Sequence, residues 1–316
     1  MLIKKDVLIL GIFFKDYESS GSGIAKDAPK KEGMALFFDL LGRKFWKLLG
    51  LNVLYYLFFL PLMLILPAFS IIRNGRAFTV TAVILLLIFM VIIGPATAGM
   101  MKIMRSFYIE KHTFMIRDFF RAFKANFAKA AVVGFVDCLI ILSAFASLYV
   151  YPVLAHNGQD KLWYVPMVIT LSLFLTVLIM NFYIFLMMVA TNLSFKDLLK
   201  NSFALAFAAP KQNLITFGIT GVLVVGMYFL FMYVTRLFNI IFPFFPAAFI
   251  AFVICFNCYP VIQKFVINPY YTSIGEVNPE LAGVGADIEA EAVFTDMGGK
   301  EAPVEKKSKS KGRHIS

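Results

Sequence analysis

The residue of this sequence best placed to do chemistry is Asp137. It falls inside an apolar run from Ala130 to Tyr151, about 10 Å deep if that run is a helix rising 1.5 Å per residue. An ionisable group in hydrocarbon is expensive and marks a functional site by default. The structural alternative is a hydrogen-bonded acid that joins two helices. Asn52, Asn181 and Asn257 also lie inside apolar runs. In the orientation set by the basic residues, all four belong to the cytoplasmic half of the membrane. They are expected to form one polar layer, open to the cytoplasm, that lines any solute or partner site. Interhelical amide contacts, worth about 0.6 kcal/mol each, account for the same asparagines without a site.

Other reactive side chains do not assemble into a recognisable centre. Cys255 and Cys258 stand at C-x-x-C spacing in Cys255-Phe256-Asn257-Cys258, so a helix would turn both thiols to one side. A second Cys pair, a His partner or a βαβ setting is missing, and the spacing reads as small apolar packing. His112, His156 and His314 are scattered, which suits neither a zinc site nor a catalytic triad. Neither a Walker A sequence nor a dinucleotide glycine fingerprint occurs. The expectation is a non-enzymatic protein with no catalytic residues, no metal and no cofactor. Asn192-Leu193-Ser194 fits a glycosylation acceptor but falls on the cytoplasmic side, where that modification does not occur.

The elements that would carry these residues follow from composition. The chain has 316 residues, of which 60% are hydrophobic and 16% charged, against about 45–50% and about 25% in soluble domains. A soluble fold cannot hide that much apolar surface, whereas a bilayer accepts it. About 20 apolar residues cross about 30 Å of hydrocarbon as a helix. Six runs qualify: 46–69, 78–101, 130–151, 163–190, 214–235 and 244–267. The fold class is therefore all-α, a polytopic membrane bundle of six transmembrane helices. The net charge of +11 sits beside and between these runs, which is the pattern of topological bias and anionic-lipid contact rather than of nucleic-acid binding. One side carries Lys30, Lys31, Arg43, Lys44 and Lys47, then Lys102 to Lys129, then Lys196, Lys200, Lys211 and Lys264. The other carries Arg73, Arg76, Lys161 and Arg236. The richer side is cytoplasmic by the positive-inside rule, which puts both termini inside.

Three segments on that side have amphipathic spacing. In 117–127, Phe119, Phe120, Phe123 and Phe127 share a face, and Arg117, Arg121 and Lys124 oppose them, with Lys129 just beyond. Segments 35–46 and 196–207 are similar. Each is expected to lie in the headgroup plane as an interfacial helix on the cytoplasmic side. Because each precedes an outward span, a threefold repeat is one reading and plain hydropathy the other. The expected organisation is a cytoplasmic segment 1–33, a membrane domain 34–271 and a polar tail 272–316 that cannot bury a core and is disordered. Val7 to Phe14 is at the short end for a signal peptide and no small-residue cleavage site closes it, so it reads as a tail or as the product of a start codon placed too far upstream.

Three stretches carry a resemblance. The first is Gly21 to Lys31, with Lys26, Asp27 and Pro29. The second is Phe37-Phe38, then Arg43-Lys44-Phe45-Trp46-Lys47-Leu48 and Leu51-Asn52. The third is Gly94-Pro95-Ala96-Thr97-Ala98-Gly99, then Arg105, Asp118-Phe119-Phe120 and Asn126-Phe127. The chain resembles the YesL family, bacterial multi-pass membrane proteins grouped as a domain of unknown function. The resemblance implies a bacterial cell-membrane protein and an accessory role in ATP-binding-cassette (ABC-type) carbohydrate uptake, with permease subunits as partners beside the lipid bilayer. It implies no catalytic residues. A stand-alone solute transporter using the Asp137 layer and a membrane enzyme are the alternatives.

Overall fold

The computed structural model describes residues 32–158 and 161–280; Lys26, Asp27, Pro29 and the basic cluster after Lys306 lie outside them. All regular structure among the described residues is helical. Among the described residues, six helices are long and apolar enough to cross a membrane: Gly33–Ile71, Gly75–Tyr108, Phe127–Gly158, Lys161–Ala190, Pro210–Tyr233 and Pro246–Ser273. The apolar side chains that coat them face outward. Leu66 is 78% exposed, Val222 72% and Phe145 69%, which water would penalise and lipid does not. The protein is an all-α polytopic helix bundle.

The chain divides after Phe45 into two units. Of the first, the described part is helical, with an Arg43–Asp39 ion pair at 2.7 Å one turn apart. Helix α1, Gly33–Tyr56, runs unbroken through the segment expected to be a separate interfacial helix. No Gly or Pro interrupts 43–49, so nothing there forces a turn. The break comes later. Pro61 and Pro67 each remove a donor, and the chain continues as one 3₁₀ turn, Leu57–Phe59, then α2, Leu60–Met63, and α3, Ile65–Ile71.

The second unit builds on α4, Gly75–Tyr108, started by an Asn74 side chain that accepts from the amides of Arg76 and Ala77. Next come α5, Met115–Ala125; α6, Phe127–Gly158; α7, Tyr164–Ala190; α8, Phe195–Ala208; and α9, Pro210–Tyr233. Then α10, Thr235–Ile241, is followed by α11, Pro246–Ile262. A π turn, Gln263–Ile267, and α12, Asn268–Ser273, complete the order. Helix α4 is central, packing on α5, α6, α7 and α11.

Two glycine contacts set that packing. A Cβ on Gly94 would lie 1.9 Å from the Ala130 carbonyl oxygen, and one on Gly134 would lie 2.6 Å from the Gly94 nitrogen. Helices α4 and α6 therefore cross backbone to backbone. Pro95 sits buried beside this crossing without ending α4. A Cβ on Gly99 would lie 3.0 Å from Phe119 of α5. Phe119 is fully buried, and Phe58 packs on the rings of Phe119, Phe120 and Phe123. The apolar face of α5 thus docks on protein through Phe119, while Phe120 stays partly exposed; Gly99 opens the seat.

Two helix-to-helix joints share one device. Asn126 follows α5 and donates to the Ala122 carbonyl at 3.1 Å. Asn213, early in α9, donates to the Leu205 and Ala206 carbonyls of α8 at 3.3 and 2.8 Å. In both, an asparagine closes the end of a short helix before a long one begins. Helix α1 is continuous and has no such joint.

Candidate functional site

The four intramembrane polar residues do not form one layer. They separate into a staple, a pair and a solitary amide. Asn52, buried on α1, donates through Nδ2 to the carbonyls of Phe242 at 3.2 Å and Pro243 at 2.8 Å, and its Oδ1 accepts from the Ala248 amide at 2.8 Å. Those groups border the break between α10 and α11, where Pro243 and Pro246 interrupt the helical ladder. Ala248 lies eleven residues before Tyr259, so the break is about 16 Å from the Arg105–Tyr259 end at 1.5 Å per residue. That is membrane depth, where non-helical backbone persists only if protein satisfies it. Asn52 does so with one side chain. The connection between the last two spans is a helix, α10, followed by a half-buried break.

Beside the break lies an apolar groove. Its walls include Tyr56, Phe59, Met227, Phe242 and Ile250. The Asn52 amide at its edge is already spent on backbone, so the groove offers no polar path.

Asp137 on α6 pairs with Asn181 on α7: Asn181 Nδ2 donates to Asp137 Oδ1 at 2.8 Å. Asn257 is half-buried on α11 and is hydrogen-bonded to none of the other three. The layer fails because helix rotation, which hydropathy leaves open, turns Asn52 toward α11 and Asp137 toward α7.

The strongest polar cluster was not legible as a site. At the basic end of α4, Arg105 Nε donates to the Tyr259 hydroxyl at 2.7 Å, and its guanidinium lies over that ring at 5.5 Å from the centroid. Arg105 Nη2 pairs with Glu280 Oε1. Glu280 Oε2 accepts from Tyr259 at 2.6 Å and from Gln263 Nε2 at 3.1 Å. Arg105 and Glu280 are 14% and 15% exposed, so both charges are largely removed from water and neutralised by each other. Asn278 turns the chain into place, donating to Asn268 Oδ1 at 2.8 Å and accepting from the Glu280 amide at 3.0 Å. The expected disordered tail from 272 is corrected here: 272–280 is anchored, because one acidic side chain finds an arginine, a tyrosine and a glutamine together. Residues 281–316 lie outside the described part.

The basic helix divides. Arg117, Arg121 and Lys124 are exposed along α5. Lys129 belongs to α6 and donates to the Leu193 carbonyl at 2.9 Å, tying α6 to the connection before α8. Ser194 of the discounted glycosylation triplet caps α8.

The residues behind the resemblance have structural work. Besides Asn52, Gly94, Pro95, Phe119 and Asn126, Asp118 accepts from the Phe114 amide at 3.0 Å at the start of α5. Phe45 and Trp46 are exposed. Cys255 and Cys258 are buried and free, and Cys258 lies 3.7 Å from Thr216 Oγ1. Among the described residues, no group of three or more His, Cys, Asp or Glu could hold a metal ion.

Residues 48–148 match the family described as "Protein of unknown function, DUF624". That stretch holds the Asn52 staple, the Gly94–Gly134 crossing, α5 and Asp137; Asn181, Tyr259 and Glu280 lie beyond it. No curated protein and no solved structure matches the chain. The chain is similar over this segment to an uncharacterised family, and it has the architecture of an integral membrane protein.

Proposed function

We propose that the protein is a non-enzymatic accessory component of an ABC-type carbohydrate-uptake system in a bacterial cell membrane. In this reading the α5 end and both termini are cytoplasmic, and permease subunits are its partners. The observation that carries it is the exposed row Arg117, Arg121 and Lys124 on α5, a helix seated rigidly through Phe119 against Gly99 and Phe58. Such a row suits the acidic surface of a partner subunit. A carrier acting alone would need polar groups along a path. Here Asn52 is committed to backbone and Asp137 to Asn181. The resemblance to the YesL family supports the choice of carbohydrate uptake.

The test is affinity purification of the tagged full-length protein from native membranes, followed by mass spectrometry. Permease subunits of a sugar importer are expected in comparable amount. Recovery should fall at least tenfold in the triple variant Arg117→Glu, Arg121→Glu, Lys124→Glu. Purification without any permease subunit would overturn the reading.

A further inference from the structure

Asp137 and Asn181 leave one buried acceptor without a donor and one carboxylate with a single donor. Asn181 spends one amide hydrogen on Asp137 Oδ1 at 2.8 Å. Its own Oδ1 is buried and accepts no hydrogen bond. A buried acceptor left unsatisfied costs about 1–3 kcal/mol. A carboxylate at membrane depth is costly unless a cation or several donors meet it, and this one has a single donor. Exchanging the amide oxygen and nitrogen of Asn181, which ordinary geometry does not distinguish, leaves the deficit in place: two acceptor oxygens would then face each other at 2.8 Å.

Among the described residues, no side chain nearby supplies the missing charge. Helix α4, packed along α6, has no ionisable residue between Arg76 and Lys102. Helix α7, on the other flank, has none between Tyr164 and Tyr183. Cys138 adjoins Asp137 on α6, and Tyr55 on α1 faces this region with its hydroxyl 2.9 Å from Thr97 Oγ1; neither is a cation. Lys129, at the start of α6, is held by the Leu193 carbonyl. A metal ion finds one carboxylate and one carboxamide here, and among the described residues no group of three His, Cys, Asp or Glu, too few ligands for a hard cation.

One proton meets both needs. Placed on Asp137 Oδ2, it neutralises the acid and lets that hydroxyl donate to Asn181 Oδ1, while the amide continues to donate to Asp137 Oδ1. The result is a closed acid–amide pair with two antiparallel hydrogen bonds and no orphaned group. We propose that Asp137 and Asn181 form an intramembrane proton-binding site, with the Asp137 carboxyl holding its proton at neutral pH.

Infrared spectroscopy of the full-length protein reconstituted in lipid at pH 7 tests this. A carbonyl stretch of a protonated carboxylic acid is expected. Asp137→Asn should abolish it while the protein still folds, because two carboxamides close the same ring. Asn181→Ala should move the band to higher frequency by removing both hydrogen bonds to the acid. The site is refuted if the wild-type protein lacks the band at pH 7, if the band survives Asp137→Asn, or if Asn181→Ala leaves it where it was. Should either variant fail to accumulate, the other still decides against the wild-type spectrum.

Discussion

Asn52 meets three backbone groups with one side chain. Its amide meets two carbonyls and one N–H at the α10–α11 break. Each, left unsatisfied in an apolar setting, costs about 1–3 kcal/mol. Asn52→Leu, close in shape but unable to hydrogen-bond, is expected to destabilise the protein by about 3 kcal/mol or more, read from denaturant unfolding in detergent micelles. A change under 1 kcal/mol would show that the staple contributes little. Sequence reading placed Asn52 correctly inside a helix and mistook its employer. An asparagine facing a bundle interior looks the same in sequence whether it awaits a solute or closes a broken helix.

At the scale of elements, the fold turns on two seats cut by small residues in α4. Gly94→Ala pushes a methyl into the Ala130 carbonyl, and overpacking of this kind costs about 1–3 kcal/mol. The same exchange at Gly218 on α9 meets nothing within 4 Å, so the better helix propensity of alanine should leave stability unchanged or raise it by up to about 1 kcal/mol. Thermal unfolding of the two variants in one detergent compares them, and equal behaviour would refute the close crossing. The α5 seat gives a second contrast. Phe119→Ala removes a fully buried ring and should cost about 3–5 kcal/mol. Phe120→Ala, on a ring 38% exposed, should cost less than 1 kcal/mol by the usual mildness of surface changes. The amphipathic spacing of 117–127 was legible in sequence. What its apolar face would touch was not, because lipid and a protein groove reward the same pattern.

For the whole molecule, the Arg105–Glu280 contact joins distant parts of the chain. It brings the segment after α12 back to the end of α4, with Tyr259 and Gln263 of the last crossing between them. Glu280→Gln keeps the shape and removes the charge. Breaking a buried ion pair from one side leaves the other charge uncompensated. Deuterium exchange over residues 268–280 should therefore rise by at least tenfold, with the α8–α9 joint at 205–213 unchanged as an internal control. Exchange equal to wild type would mean that the segment is held by something other than its carboxylate.

The sequence by itself determined the membrane class, the helical fold, the approximate spans and the amphipathic character of α5 and α8. These follow from composition and from spacing along one helix, which are local properties. It also singled out Asp137 and the three asparagines, because polar residues stand out in apolar runs. Tertiary structure alone decided who meets whom. Rotation of each helix about its axis sent Asn52 to a broken helix, joined Asp137 to Asn181 and left Asn257 apart. Sequence distance hid the Arg105–Glu280 pair, whose members are 175 positions apart. Partnership between helices depends on their rotation and register, and a run of apolar residues records neither.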